Sequence, residues 1–129
     1  MILVDTQAVI WLTQADARLS PAAQEALLWG RSEGNLAIAD VTLREIAMLV
    51  SKRRILVSAS LEVYLAFVES LYKVIPLTAK VAERSVRFGP AYPKDPVDQI
   101  IGATAIVFGA KLVTSDELIR SSGEVDCVW

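Results

Sequence analysis

Residues 1–6 of the chain read MILVDT, and this stretch decides the fold. The large apolar residues from Ile2 to Val4 form a short run typical of a buried strand, and Asp5 ends it. The next residues, 6–13, predict a helix with Asp5 as its N-cap. A strand that passes directly into a helix begins a β–α unit, and repeated units of this kind build a parallel sheet covered by helices.

The same alternation continues along the rest of the chain. Further strands are predicted at 36–39, 73–77, 111–113 and 125–128. Further helices are predicted at 20–31, 42–53, 60–71, 78–88, 95–109 and 117–120. The chain is therefore predicted to be an α/β protein whose strands bring their carboxyl ends to one edge of the sheet.

Composition limits the classes of protein that this chain can represent. Its 129 residues suit one domain spanning 1–129, and 53% hydrophobic with 22% charged residues is typical of a folded globular chain. The net charge of −2 provides no global basic field for nucleic acid. The absence of histidine excludes a Ser-His-Asp triad. A single cysteine, no visible signal peptide and no apolar run of membrane-spanning length predict a cytoplasmic protein without a membrane segment.

Four acidic residues are predicted to meet at one edge of the sheet. Asp5 and Asp116 each follow an apolar strand, whereas Glu45 and Asp98 lie near the beginning of apolar helices. Converging carboxylates repel one another, and a divalent cation neutralises them. Mg²⁺ or Mn²⁺ prefers oxygen ligands. The pattern therefore indicates metal-assisted chemistry on phosphate esters.

Each acid also has a structural alternative when it is considered alone. Asp5 and Asp116 can be N-caps of the helices that follow them. Glu45 can complete a capping box with Thr42. Asp95 precedes a proline at the first helical position, and for this residue the capping role is the better interpretation. These alternatives do not explain why four acids fall on one sheet edge.

Several neighbours of the acids are candidates for supporting roles. Thr114 and Thr6 have hydroxyls that could orient an acid or a water, although turn formation explains them equally well. Arg44 and Lys94 neighbour candidate acids and could bind a polyanion. Asp40 is predicted to cap the next helix or to support the site.

The order of these motifs resembles that of PIN-domain ribonucleases, and more narrowly of VapC-like toxins from toxin–antitoxin pairs. The resemblance covers nearly the whole chain. It is carried by LVDTQAVIWL at 3–12, TLREIA at 42–47, DPVDQIIGATA at 95–105, LVTSD at 112–116 and the ending Val128-Trp129. No single motif is very specific, but their joint order and spacing are.

The resemblance implies a three-layer α/β/α sandwich with a central parallel sheet. It implies catalysis by Asp5, Glu45, Asp98 and Asp116, with Asp5, Asp98 and Asp116 as metal ligands. Thr114 would be the supporting hydroxyl. The family usually cleaves RNA with Mg²⁺ or Mn²⁺, forms homodimers, and is silenced by a cognate antitoxin protein.

Two departures and two alternatives accompany this expectation. Gln7 stands where many relatives have histidine, and Gln99 stands where arginine is common. A receiver-like signalling domain would share the size and an acidic Mg²⁺ site. Such a domain needs an acidic pair after the first strand, where Asp5 is alone, and an aspartate after the third, where Leu77-Thr78 stand. A PIN-like module that binds metal without cutting is the other alternative.

Overall fold

The computed structural model describes residues 1–129 as a five-stranded parallel sheet with helices on both faces. The strands are β1 (Ile2–Val4), β2 (Leu36–Ala39), β3 (Lys73–Ile75), β4 (Lys111–Val113) and β5 (Cys127–Val128). The helices are α1 (Thr6–Thr13), α2 (Pro21–Ser32), α3 (Asp40–Ser51), α4 (Leu61–Leu71), α5 (Ala79–Ser85), α6 (Pro96–Phe108) and α7 (Glu117–Ser122). The predicted α/β sandwich is confirmed.

The strand order is β3-β2-β1-β4-β5, with all neighbours parallel. The chain adds β2 and β3 on one side of β1, and then crosses to add β4 and β5 on the other. The reversal of direction lies between β1 and β4. In open α/β sheets the crevice at the carboxyl ends of such a strand pair is where ligands bind.

Alternate residues of the strands supply two separate cores, because successive side chains of a strand point to opposite faces. Ile2 and Val4 belong to a core that includes Ile46 of α3 and Val68 of α4. Leu3 belongs to the second core, which is formed with residues of α6 and α7. The central strand β1 is buried on both faces, so Asp5 at its end is held in a rigid frame.

Most predicted element ends agree with the structure to within a few residues, and the start of α3 is where the predicted capping fails. Helix α3 begins at Asp40, two residues before the predicted start, so the expected capping box of Thr42 and Glu45 does not form. Thr42 is instead fully buried inside the helix. Asp40 is not a cap either, because its carboxylate accepts a hydrogen bond from the Leu77 N–H at 2.9 Å.

Helix α6 has the ends that its sequence predicts. Asp95 caps it by accepting hydrogen bonds from the N–H groups of Val97 and Asp98, and Pro96 follows the cap. Gly109 ends the helix in the left-handed region, with φ of 62°, where glycine has no steric penalty. None of the helices combines the length and the apolar character that crossing a membrane requires.

Candidate active site

Asp5 is the central acid of the site and is held by two hydrogen bonds. It directly follows β1, and one carboxylate oxygen accepts from the Thr6 N–H at 2.8 Å, which caps α1. The other oxygen accepts from the hydroxyl of Thr114, which follows β4, at 2.7 Å. This contact joins residues 109 positions apart in sequence, because β1 and β4 are adjacent strands. The structural role of Asp5 as an N-cap and its place in the acidic site are therefore compatible.

Thr114 links two acids of the site. Its side chain is fully buried, and its hydroxyl oxygen also accepts from the Asp116 N–H at 3.1 Å. Asp116 in turn caps α7, since one carboxylate oxygen accepts from the Ile119 N–H at 3.0 Å. The hydroxyl therefore positions Asp5 directly and Asp116 through the backbone.

Glu45 reaches the site from the first half of α3. Behind it, the Thr6 and Thr42 hydroxyls lie 3.3 Å apart and are both buried, so α1 and α3 are fixed to each other beside the acids. Thr6 is thus a supporting residue of the helix packing.

Asp98 is placed by the first turn of α6 and by a tyrosine that the sequence did not single out. The Tyr92 hydroxyl donates to the Asp98 carbonyl oxygen at 2.7 Å. The Tyr92 ring stacks on Phe88 with centroids 3.8 Å apart. A Cβ at Gly102 would overlap the Tyr92 hydroxyl oxygen, so only glycine leaves room for this ring. A glycine within an apolar helix was the only sequence signal for this packing.

The four acids line one small cavity. It has a volume of about 300 Å³ and is bounded by eight residues, of which one is hydrophobic. They are Asp5, Thr6, Gln7, Glu45, Leu49, Asp98, Ser115 and Asp116. None of them is basic, so nothing in the cavity wall neutralises the carboxylates.

Burial first, and then the charges of neighbouring acids, raise the pKa values of carboxyl groups in this cavity. Burial is the largest cause of a raised pKa at Asp5, which is 8% exposed, and the hydrogen bond from Thr114 opposes it. Burial, followed by the charges of Asp5 and Asp95, also raises the pKa of Glu45. Burial and then the charge of Asp5 raise the pKa of Asp98 to about 7, with smaller contributions from the other acids. Carboxylates that resist ionisation together form a site suited to a cation.

The donor set fits a divalent cation by its chemistry. All the candidate ligands are oxygens, the counter-charge is missing, and the cavity opens to water, as hard cations require. No three acidic or cysteine side chains stand together in a way that would hold a metal ion by themselves. Mg²⁺ is commonly bound by only one or two carboxylates together with water and substrate phosphates, so the arrangement remains compatible with it.

The other predicted residues lie at different distances from this cavity. Arg44 lines a second cavity next to it, together with Lys52 and Arg54. Lys94 is exposed in the loop before α6 and lines neither cavity. In the sequence, Lys52 and Arg54 belong to the basic run at 52–54, for which interaction with the helix dipole is the preferred interpretation and a backbone-phosphate contact the alternative.

The fold and the cavity define an α/β protein with an acidic site at the strand-order reversal of a parallel sheet. The sequence profile of the PIN domain matches residues 2–123. Ribonuclease VapC22 of Mycobacterium tuberculosis is 32% identical over 120 residues, which cover 93% of this chain and 90% of that protein. The chain belongs to the PIN-domain family, in its VapC-like branch.

Solved structures agree with this assignment. A toxin–antitoxin complex from Klebsiella pneumoniae contains a chain that is 26% identical, with a TM-score of 0.65 and coverage of 90% of this chain and 87% of that one. VapC20 of Mycobacterium tuberculosis, a toxin that cleaves the sarcin-ricin loop, has the same fold at 21% identity, with a TM-score of 0.70 and 98% coverage of both chains. VapBC2 of Rickettsia felis, bound to a DNA fragment from its promoter, shares the fold at 19% identity, with a TM-score of 0.71 and coverage of 98% and 97%.

Proposed function

We propose that this chain is a metal-dependent endoribonuclease of one PIN domain, spanning 1–129, and the toxin of a toxin–antitoxin pair. The observation that carries the proposal is the cavity in which Asp5, Glu45, Asp98 and Asp116 meet without a basic partner. The resemblance to Ribonuclease VapC22 supports RNA as the substrate.

Asp5, Asp98 and Asp116 are proposed as the ligands of Mg²⁺ or Mn²⁺, directly or through bound water, and Glu45 as the fourth catalytic acid. When bound, the cation would supply the positive charge that draws in a phosphodiester and lowers the pKa of water. The Thr114 hydrogen bond favours the ionised form of Asp5 against the effect of burial, and it orients the carboxylate. Burial and the charge of Asp5 raise the pKa of Asp98 to about 7 in the metal-free chain, and a bound cation would favour the ionised form that a ligand needs.

The receiver-like alternative lacks support in the fold. Strand β3 ends at Ile75 on the edge of the sheet, and Pro76, Leu77 and Thr78 follow it. No aspartate therefore stands where a receiver would be phosphorylated. The other alternative, a PIN-like module that binds metal without cutting, differs from the proposed ribonuclease only in activity.

The deciding experiment is RNA cleavage by the purified chain with Mg²⁺ or Mn²⁺ and then with EDTA. Asp5→Asn should abolish cleavage, because it removes the charge at the centre of the site. Asp126→Asn is the matched control, since Asp126 is exposed and outside the cavity. Cleavage that survives EDTA, or survives Asp5→Asn, would refute the assignment. Metal binding without cleavage would favour the module that binds without cutting.

The proposed protein partners are a cognate antitoxin and a second copy of the chain. The resemblance to a chain from a toxin–antitoxin complex supports the first. Val63 and Phe67, one turn apart on α4, are 58% and 50% exposed and give an apolar surface to an association of either kind. Light scattering of the purified chain tests the homodimer, and a monomeric mass at micromolar concentration would refute it.

A further inference from the structure

The cavity beside the acidic site is lined by three basic side chains. We propose that it is a phosphate-binding cleft, which holds the backbone of the RNA strand on its way into the acidic cavity. This inference rests on the proposed function. The lining residues are Arg44, Glu45, Met48, Leu49, Lys52, Arg54, Asp95 and Val97, around a volume of about 590 Å³. We call this cavity the basic cleft.

The basic cleft adjoins the acidic cavity. Glu45 and Leu49 line both, so the two cavities share a wall on one side of α3. A strand whose scissile phosphate lies at the acids would therefore have its neighbouring nucleotides in the cleft.

The three basic groups are available to a ligand. Arg44, Lys52 and Arg54 are exposed, and none of them forms an ion pair or a side-chain hydrogen bond within the chain. Of the two acids in the cleft, Asp95 has one carboxylate oxygen engaged in capping α6. Glu45 is shared with the acidic cavity. Free cations beside an acidic pocket are an arrangement that suits a polyanion with a metal at its cleaved bond.

The backbone fixes the spacing of these groups. Arg44 and Lys52 lie two turns apart on one face of α3, a separation of about 12 Å along the axis. The backbone then turns at Arg53, which has a φ of 55°, and the Arg54 N–H donates a hydrogen bond to the Leu49 carbonyl at 2.9 Å. This turn brings Arg54 back to the cleft. The backbone that carries the basic groups is therefore α3 and the turn that ends it, which lowers the backbone entropy lost on binding.

The rest of the lining indicates how the strand would be recognised. Met48, Leu49 and Val97 provide apolar surface, and no aromatic side chain is available for base stacking. The cleft therefore favours contacts with phosphates over contacts with bases, and its contribution to affinity should be independent of sequence and strongly dependent on salt.

The test compares two triple variants in an Asp98→Asn background that should not cut RNA. R44Q/K52Q/R54Q removes the charges of the cleft. R31Q/K73Q/K111Q removes the same number of charges from exposed residues outside both cavities. Binding of a short labelled single-stranded RNA is measured by fluorescence anisotropy with Mg²⁺ at several salt concentrations.

Removing three phosphate contacts should reduce the magnitude of the negative slope of log K against log salt by about 2. It should also weaken RNA binding about 100-fold at 0.1 M salt. The control variant should keep the parent's slope. In the cutting background, R44Q/K52Q/R54Q should raise KM with little change in kcat, because these groups bind the substrate before and during the reaction equally.

If the wild type cuts RNA with metal but R44Q/K52Q/R54Q changes neither the slope nor KM, this inference alone is overturned. The cleft would then be a candidate site for a protein partner. The proposed function would be overturned as well if the wild type did not cut RNA and Asp98→Asn did not bind it. Equal losses in both triple variants would show a general effect of net charge and would also overturn the cleft.

Discussion

Replacing Thr114 by valine should separate the support of the acids from the rest of the fold. Valine has nearly the same shape, so the change removes only the hydroxyl. Two groups then lose a partner: the carboxylate of Asp5, at 2.7 Å, and the N–H of Asp116, at 3.1 Å. Thr114 is fully buried, so water cannot replace its hydroxyl without a local rearrangement.

The magnitude follows from these two contacts. A hydrogen bond to a charged group contributes roughly 1.5–3 kcal/mol, and an unsatisfied buried N–H costs roughly 1–3 kcal/mol. The acidic cavity next to Asp5 and Asp116 admits water, which reduces both values. We expect a loss of about 2 kcal/mol in the free energy of unfolding.

The matched control is Thr104→Val. Thr104 is also buried, but its hydroxyl donates only to the Ile100 carbonyl of its own helix, at 2.7 Å. That carbonyl retains its backbone partner, so the control should lose less than about 1 kcal/mol. Urea denaturation of the metal-free proteins measures both values.

Activity gives a second measurement of the same substitution. Loss of the Thr114 hydrogen bond should raise the pKa of Asp5 further, because that bond is the larger of the two that oppose the effect of burial. More Asp5 is then protonated at a given pH, so the acidic limb of the cleavage profile should move to higher pH. Cleavage at neutral pH should fall by roughly 10–100-fold, as for other residues that orient a metal ligand. Thr114→Val that is no less stable than Thr104→Val and cuts at the wild-type rate would refute this reasoning.

Three further outcomes follow from the acids and from the packing behind Asp98. Asp98→Asn should abolish cleavage, and in the metal-free protein above pH 7 it should raise the free energy of unfolding by about 2 kcal/mol. The rise in the pKa of Asp98 from 3.8 to about 7 corresponds to roughly 4 kcal/mol, which solvent screening reduces to this value. A variant less stable than the wild type would contradict this expectation. The raised pKa of Asp98 favours its protonated form in the folded state. The free energy of unfolding of the metal-free wild type, compared with that of Asp98→Asn, should therefore be highest below about pH 4 and fall until about pH 7, and Mn²⁺ should reduce this fall. Urea titrations that show no pH-dependent difference between the two proteins would count against it. Gly102→Ala should destabilise the fold by roughly 2–3 kcal/mol, since its Cβ would overlap the Tyr92 hydroxyl. Tyr92→Phe should lose about 1 kcal/mol, because it removes the hydrogen bond to the Asp98 carbonyl. If thermal unfolding shows Gly102→Ala to be the more stable of the two variants, the overlap is rejected.

Local sequence rules identified the elements well where the signal was itself local. Asp95 caps α6 as predicted, and the ends of α6 and α2 lie within one residue of the predicted positions. The same rules were wrong for Thr42 and Glu45. Thr42 matches a capping pattern, but the burial of its side chain against Thr6 of α1 decides its place, and this contact is not visible in the local sequence.

The acidic residues were recognised from the sequence, but their assembly depended on strand order. The sequence alone determined a parallel α/β chain with Asp5 and Asp116 at one sheet edge, because alternating strands and helices leave the carboxyl ends of parallel strands together. It also determined the family, through motifs whose joint order is specific.

Only the tertiary structure decided which strands are neighbours. Placing β4 beside β1 brings the Thr114 hydroxyl to Asp5 across 109 residues, and packing of α3 and α6 at the same edge adds Glu45 and Asp98. The Tyr92 support and the basic cleft arise in the same way, from surfaces that meet only after folding. Capping and periodicity are properties of a few consecutive residues, whereas strand order and cavity walls depend on how separate elements bury their apolar faces together.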